Sequence, residues 1–283
     1  MTISPLPAAR HREAVVNMLW IAGPLPWYAR VSVATFLAQG HPVHLHAYGD
    51  VSGVPAGCEV RDASEVLPPD AVFGYRDGPF PGYPSGFANW FRCEVLLRKG
   101  GWWADTDVFC RRPFRSDRDY VIASHWDVGK HEINNNVLFA REPDSDLMRR
   151  SVAFCRQRRA DVAHTENGPL LLKTLVGEMR LADRIAPPSA YNPIHFGDFG
   201  LLLERPAYVR LVALSRRFRG LRPIHLRQSR ALHLFAAWSM GDARLRDAAA
   251  IPAGSYLARY IRDCGVRLPD VVGEDAPSHQ TGA

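Results

Sequence analysis

Lysine is nearly missing from this 283-residue chain: of its 35 lysines and arginines, only Lys99, Lys130 and Lys173 are lysines. The formal charge of +6 therefore rests on guanidinium groups. These attract anions, but no nucleic-acid-binding motif accompanies them, so no nucleic acid partner is expected. Also missing is any run of about 18 apolar residues, so no segment reads as a membrane-spanning helix. The N-terminus has no charged region followed by an apolar stretch and a small-residue cleavage site, and the expectation is a protein that is not exported. Cys58, Cys93, Cys110, Cys155 and Cys264 are scattered and odd in number, without a Cys-x-x-Cys pair. That spacing excludes the usual zinc and redox motifs and suits a reducing cytoplasm. What the chain does have is 47% hydrophobic residues, enough for one large α/β domain over residues 1–272. The polar stretch 273–283 is expected to be a disordered tail.

Periodicity outlines the order of elements. Ala14 to Ile21 is an apolar run halted by Gly23-Pro24 and reads as a buried first strand. Trp27 to Gln39, closed by Gly40, reads as a helix, and Pro42 to Tyr48 as a second strand. This β-α-β opening predicts an open, mostly parallel sheet. Between Gly49 and Ser85, Pro68-Pro69, Gly78-Pro79 and Pro81-Gly82 make the chain loop-dominated around one short strand at Cys58 to Arg61. That segment is a candidate substrate cover. Phe87 to Lys99 reads as a helix ending on Gly100. Tyr120 to Ser124 and Ile133 to Ala140 read as strands, and Ser145 to Arg159 and Pro169 to Glu178 as helices. The arginine clusters at 156–159 and 216–219 read first as solvated helix faces.

The most informative residues follow the helix that ends at Lys99. Gly100-Gly101-Trp102-Trp103-Ala104 leads into Asp105-Thr106-Asp107, two carboxylates one residue apart. In a continuing strand they would face opposite ways, so the chain should turn there. In such a turn both can serve a hard cation, and Mg²⁺ or Mn²⁺ suits oxygen ligands together with a diphosphate. Alone, Asp-x-Asp also describes a capped turn.

Together with Phe91-Arg92, the Gly-Gly-Trp-Trp-Ala-Asp-Thr-Asp composite resembles the DXD motif of GT-A-fold glycosyltransferases, in particular the family 32 type of capsule and lipopolysaccharide synthesis. Similarity extends to Leu19-Trp20-Ile21, to Ile133 through Leu138, to Asn167-Gly168-Pro169, and to Ala231-Leu232-His233-Leu234-Phe235 followed by Trp238. The resemblance implies a GT-A, Rossmann-like fold with a mainly helical C-terminal part. It also implies transfer of a sugar from a nucleotide-sugar donor, UDP-linked in preference to GDP-linked, to a hydroxyl of a glycan or lipid-linked saccharide. Asp105 would face the donor ribose or the Mn²⁺ or Mg²⁺ ion, Asp107 would ligate that ion, and His233 would be its third protein ligand. Arg92 and Asn135, or its neighbour Asn136, would contact the donor; Trp20 and Asn89 belong to the same substrate-binding set. Gly168 and Pro169 would shape the acceptor side, with Glu166 a candidate for orienting the acceptor. The implied chemistry is retaining. The expected setting is cytoplasmic, with peripheral contact at the inner membrane face an open option where acceptors are lipid-linked.

Two positions depart from the pattern. Asn89 stands where relatives commonly carry Asp, keeping hydrogen bonding but not charge, and Phe235-Ala236 replaces the usual Trp-Asn after the final histidine. Two other readings stay open: a catalytically degenerate glycan- or nucleotide-binding protein, and a metal-dependent phosphohydrolase, which Phe109 at the fifth motif position disfavours. Read without the resemblance, His233 is equally a core histidine, Arg92 a partner for Glu94 or a helix cap, Asn134 to Asn136 a turn, and Trp102 and Trp103 either core or sugar-stacking.

Overall fold

The computed structural model describes residues 14–127, 130–219, 221, 224 and 229–272. The tail expected at 273–283 lies outside the described residues. Among the described residues eight strands are present: β1 (Val16–Trp20), β2 (Val43–Ala47), β3 (Glu59–Asp62), β4 (Gly101–Ala104), β5 (Val108–Cys110), β6 (Tyr120–Asp127), β7 (Lys130–Ala140) and β8 (Ala231–His233). The α-helices are α1 (Trp27–Ala38), α2 (Ser85–Lys99), α3 (Asp146–Arg158), α4 (Leu171–Glu178), α5 (Pro188–Tyr191), α6 (Pro206–Phe218), α7 (Ala236–Ser239), α8 (Ala243–Arg246), α9 (Tyr256–Asp263) and α10 (Leu268–Val272).

The expected mixed α/β architecture is what forms. Six strands make a sheet in the order β3-β2-β1-β4-β7-β6. The first four run parallel, and the β6–β7 hairpin joins antiparallel at β4. A separate two-stranded sheet pairs β5 with β8. The β6–β7 pair extends past the read boundaries, to Asp127 and Lys130, because polar residues there hide the strand pattern. Asn134, Asn135 and Asn136 lie inside β7 rather than in a turn.

Strand alternation divides the core. Trp102 packs with Val16, Met18, Phe36 and Leu45 on the α1 side, while Trp103, one residue on, packs with Phe87, Phe91 and Leu138 on the α2 side. Both indoles are 1% exposed, so both are core. A third cluster joins α1 to the C-terminal helices through Trp27, Val31, Leu257 and Ile261. Among the described residues, no helix is long and apolar enough to cross a membrane.

Helix α2 stops as the sequence predicts. Gly100 takes φ 62° and its N–H closes on the Leu96 carbonyl, a conformation that disfavours any residue with a Cβ. Gly101 follows at φ 87°, where a Cβ would lie 3.0 Å from the Val15 carbonyl. The two glycines bring the chain straight from α2 into β4, beside β1, and so deliver Asp105 to the carboxyl edge of the parallel strands.

Candidate metal and substrate site

A cleft of about 530 Å³ opens at that edge, the place where open parallel sheets take ligands. Its lining includes Trp20 at the end of β1, Asn89 and Arg92 on α2, Asp105 and Asp107 after β4, Asn135 on β7, Pro169 and His233. The structure thus gathers these predicted residues, scattered over more than two hundred positions, around one space.

Asp105, Asp107 and His233 form the floor, with one ligand atom of each within 4.8 Å of the others. The chain turns at 105–107 as expected: the Val108 N–H bonds to the Asp105 carbonyl, and the Asp105 N–H to the Asn136 carbonyl. β5 then pairs with β8 so that Val108 faces His233, which fixes the histidine beside Asp107. The Asp107 carboxylate is further held by the Ala236 N–H on Oδ2 at 2.7 Å. Phe235, at φ 50°, makes the bend that aims this N–H.

Arg92 reaches Asp105 Oδ1 at 2.8 Å and the Asn135 carbonyl at 2.7 Å, and stacks 5.2 Å from the Trp103 ring centre. The Trp103 indole N–H donates to the same Asp105 oxygen at 2.8 Å. Glu94 is not the partner of Arg92; its buried carboxylate is held by Arg156 and Trp90. The bonds of Arg92 therefore make it a positioning residue for Asp105.

Asn192 settles which nitrogen of His233 faces the cleft. Its amide donates to the Ser124 carbonyl at 2.9 Å and to Asn136 Oδ1 at 3.2 Å, so its oxygen is the acceptor for His233 Nδ1 at 3.1 Å. By this hydrogen-bond assignment Nδ1 carries the proton. Nε2 then presents a lone pair to Asp107 Oδ1 at 3.3 Å. Two acceptors at that distance need a cation between them, a proton or a metal ion. Two carboxylates and one imidazole are a donor set that suits Mn²⁺, and the carboxylates alone suit Mg²⁺.

The electrostatics agree. Burial pushes the Asp105 carboxyl above its ordinary range, Arg92 opposing and Asp107 adding to the rise. Burial acts the same way on Asp107, but His233 and the N–H groups around it outweigh that and hold it below its ordinary range. Burial raises the hydroxyls of Tyr28 and Tyr83; Asp107 adds next at Tyr83, whereas at Tyr28 it adds after the neighbouring Tyr83. A cation at this floor relieves a concentration of negative charge.

Not every expected residue faces the cleft. Asn136 is fully buried and pairs its amide with Asn192 at 3.1 Å, so it supports the floor from behind. Glu166 turns away, accepting from the Ala163 N–H at 2.8 Å and pairing with Arg158, outside the cleft lining. Gly168 also lies behind the wall: a Cβ there would come 2.4 Å from Asn89 Nδ2 and 2.9 Å from Asn135 Nδ2. It permits a chain of buried amides in which Asn135 donates to Asn89 at 2.8 Å, Asn89 to Tyr75 at 2.9 Å, and Tyr75 to Asn167 at 2.6 Å. Asn89 is thus fully engaged by neutral partners, which accounts for an amide rather than a carboxylate in this position. Residues that sequence reasoning missed are Asn192, Tyr75 and His125. His125 lines the cleft from β6, and burial lowers its imidazole to about 4, keeping it neutral at physiological pH.

No family model matches this sequence, and no curated protein matches it. Among solved structures, the chain is similar to PaToxG glycosyltransferase at 14% identity, over 74% of this chain and 79% of that one, with a TM-score of 0.40. It is similar to a structure described as a transferase at 8% identity, over 60% and 86%, with a TM-score of 0.40. A glycosyltransferase involved in glycosylation of the major capsid of PBCV-1 aligns at 13% identity over 62% and 82%, with a TM-score of 0.34. At these identities and TM-scores the matches assign this chain no family and no substrate.

Proposed function

We propose that the chain is a divalent-cation-dependent GT-A-type glycosyltransferase of the family 32 kind. It moves a sugar, with retention, from a nucleotide-sugar donor, UDP-linked by preference, to a hydroxyl of a glycan or lipid-linked saccharide in bacterial surface polysaccharide synthesis. The observation that carries this reading is the Asp105–Asp107–His233 cluster, set at the carboxyl edge of parallel strands on the floor of a cleft that also holds amide donors.

In this reading Asp105, Asp107 and His233 hold Mn²⁺ or Mg²⁺, which supplies the positive charge that stabilises a departing diphosphate. Arg92 and Trp103 keep Asp105 aimed and oppose the effect of burial on its charge. Asn192 keeps His233 in the tautomer that offers Nε2. Asn89 and Asn135 present the wall against which the donor sugar lies, with orientation fixed by the amide chain through Tyr75. Phe196, Phe235 and Trp238 form an aromatic rim that lowers the local dielectric when substrate fills the cleft. Asp105 and Asp107 are the only carboxylates among the described cleft residues, and both serve the cation site. The acceptor hydroxyl then attacks from the side the diphosphate leaves, and the leaving phosphate takes its proton.

The test is release of nucleoside diphosphate from UDP-, GDP-, ADP- and TDP-sugars with and without Mn²⁺. Metal-dependent release from one donor class, abolished in Asp107→Ala, is expected. Failure of every donor in a folded, metal-binding protein would instead favour the degenerate binding-protein reading.

A further inference from the structure

Helix α6 is apolar on the wrong side. Val209 is buried, and Val212 and Ala213 pack against the C-terminal core, yet the opposite face is also apolar. Leu211 is 63% exposed, Leu214 55%, Phe218 88% and Tyr208 51%. Leu211, Leu214 and Phe218 are spaced by three and four residues, so they stack into one outward stripe. Leu221, just beyond the helix, is 49% exposed as well. The helix contains no acidic residue from Pro206 to Phe218. Arg210 and Arg217 flank the stripe, and Arg205 and Arg219 stand at the helix ends, all four exposed. Arg216 is the exception, held by Asp198 through two 2.7 Å bonds.

A contiguous exposed apolar stripe needs a cover, and the charge around this one selects among covers. A second copy docked face to face would set Arg210 and Arg217 near their own equivalents, a like-charge contact. An anionic bilayer answers both features, taking apolar side chains into the headgroup boundary and guanidinium groups against phosphates. We propose that α6 is an interfacial helix that docks this protein on an anionic lipid surface. The Leu211, Leu214 and Phe218 side chains enter the bilayer boundary, and Arg205, Arg210, Arg217 and Arg219 bind the headgroups. The helix is also anchored near the cleft: Asp198, which clamps Arg216, is two residues from Phe196 on the cleft rim. Docking does not rest on the transferase reading. Where that reading holds, docking brings the cleft to a lipid-linked acceptor.

The experiment is flotation of the purified full chain with vesicles of phosphatidylcholine alone or mixed with phosphatidylglycerol, with sedimentation velocity run in parallel. Expected is flotation with the anionic vesicles, at least about tenfold stronger than with neutral ones and weakened by high salt. Leu211→Ser/Leu214→Ser/Phe218→Ser and Arg210→Glu/Arg217→Glu should each abolish it. All five side chains are exposed, so circular dichroism and melting should match the parent. A Phe218→Trp probe should shift to shorter emission wavelength on the same vesicles. The proposal is overturned if the parent chain floats with neither vesicle, if the serine variant floats as well as the parent, or if the parent is a dimer that the serine variant dissociates. None of these outcomes depends on sugar transfer, so they separate from a failure of the catalytic reading.

Discussion

Removing the Asn192 side chain tests the cation site without touching any ligand. Asn192 holds His233 Nδ1 at 3.1 Å and donates to Ser124 and Asn136. A partner that orients a ligating histidine is worth about 10–100-fold in metal affinity, or about 1.4–2.7 kcal/mol. Asn192→Ala should therefore weaken Mn²⁺ binding by that factor, read by calorimetric titration in the presence of UDP. It also leaves the Ser124 carbonyl and the Asn136 amide short of a partner, and should lower stability by about 2–3 kcal/mol. Asn192→Asp separates the two effects: it can still accept from Nδ1 but cannot donate to Ser124, so affinity should largely recover while stability does not. A folded Asn192→Ala protein with unchanged Mn²⁺ affinity would refute the assignment of His233 as an oriented ligand.

Further outcomes follow from the same geometry. Gly168→Ala drives a Cβ into Asn89 and Asn135, so it should cost about 1–3 kcal/mol in thermal melts and raise the donor KM more than it changes Mn²⁺ affinity. Arg92→Lys cannot span both the Asn135 carbonyl and Asp105, because an ammonium is not a fork; turnover should fall at least about tenfold. His46 is buried with Nε2 3.1 Å from Asn17 Oδ1 and no hydrogen-bond partner for Nδ1, and burial lowers its pKa from 6.5 to about 3. Below pH 6.5 the unfolded chain takes up a proton that the folded chain refuses, so stability falls as pH drops from 6.5 towards 3, by on the order of 2–4 kcal/mol. His46→Gln, which keeps a donor for Asn17 but does not titrate, should flatten that slope in urea titrations.

The local parts of the site were legible because local chemistry dictates them. Gly100-Gly101 reads as a helix stop and two carboxylates one residue apart read as a turn, so the turn that exposes Asp105 and Asp107 could be placed from sequence. The strand and helix periods around it were equally plain, from Val16 through Lys99. What sequence could not reveal is pairing over distance. His233 reaches Asp107 because β8 pairs with β5, and nothing in a three-residue strand so far along the chain announces that. Its proposed role rested on resemblance alone. Asn192, a lone amide after a one-turn helix, carries no pattern at all, and neither does the left-handed Phe235 that aims the Ala236 N–H. Glu166 shows the opposite error: it adjoins Asn167-Gly168-Pro169, yet the backbone there turns its side chain to Arg158, a direction that adjacency does not reveal. The exposed stripe on α6 has no sequence signal of its own, because apolar residues occupy both faces of the helix, Val209 and Val212 inward and Leu211, Leu214 and Phe218 outward.

The most direct test of the cation-dependent donor site is calorimetric titration of UDP into the protein with and without Mn²⁺, alongside Asp107→Ala. Binding that requires Mn²⁺ in the parent chain and vanishes in Asp107→Ala, with circular dichroism showing that the variant is folded, is the expected result. UDP binding indifferent to Mn²⁺, or retained in full by Asp107→Ala, would contradict it.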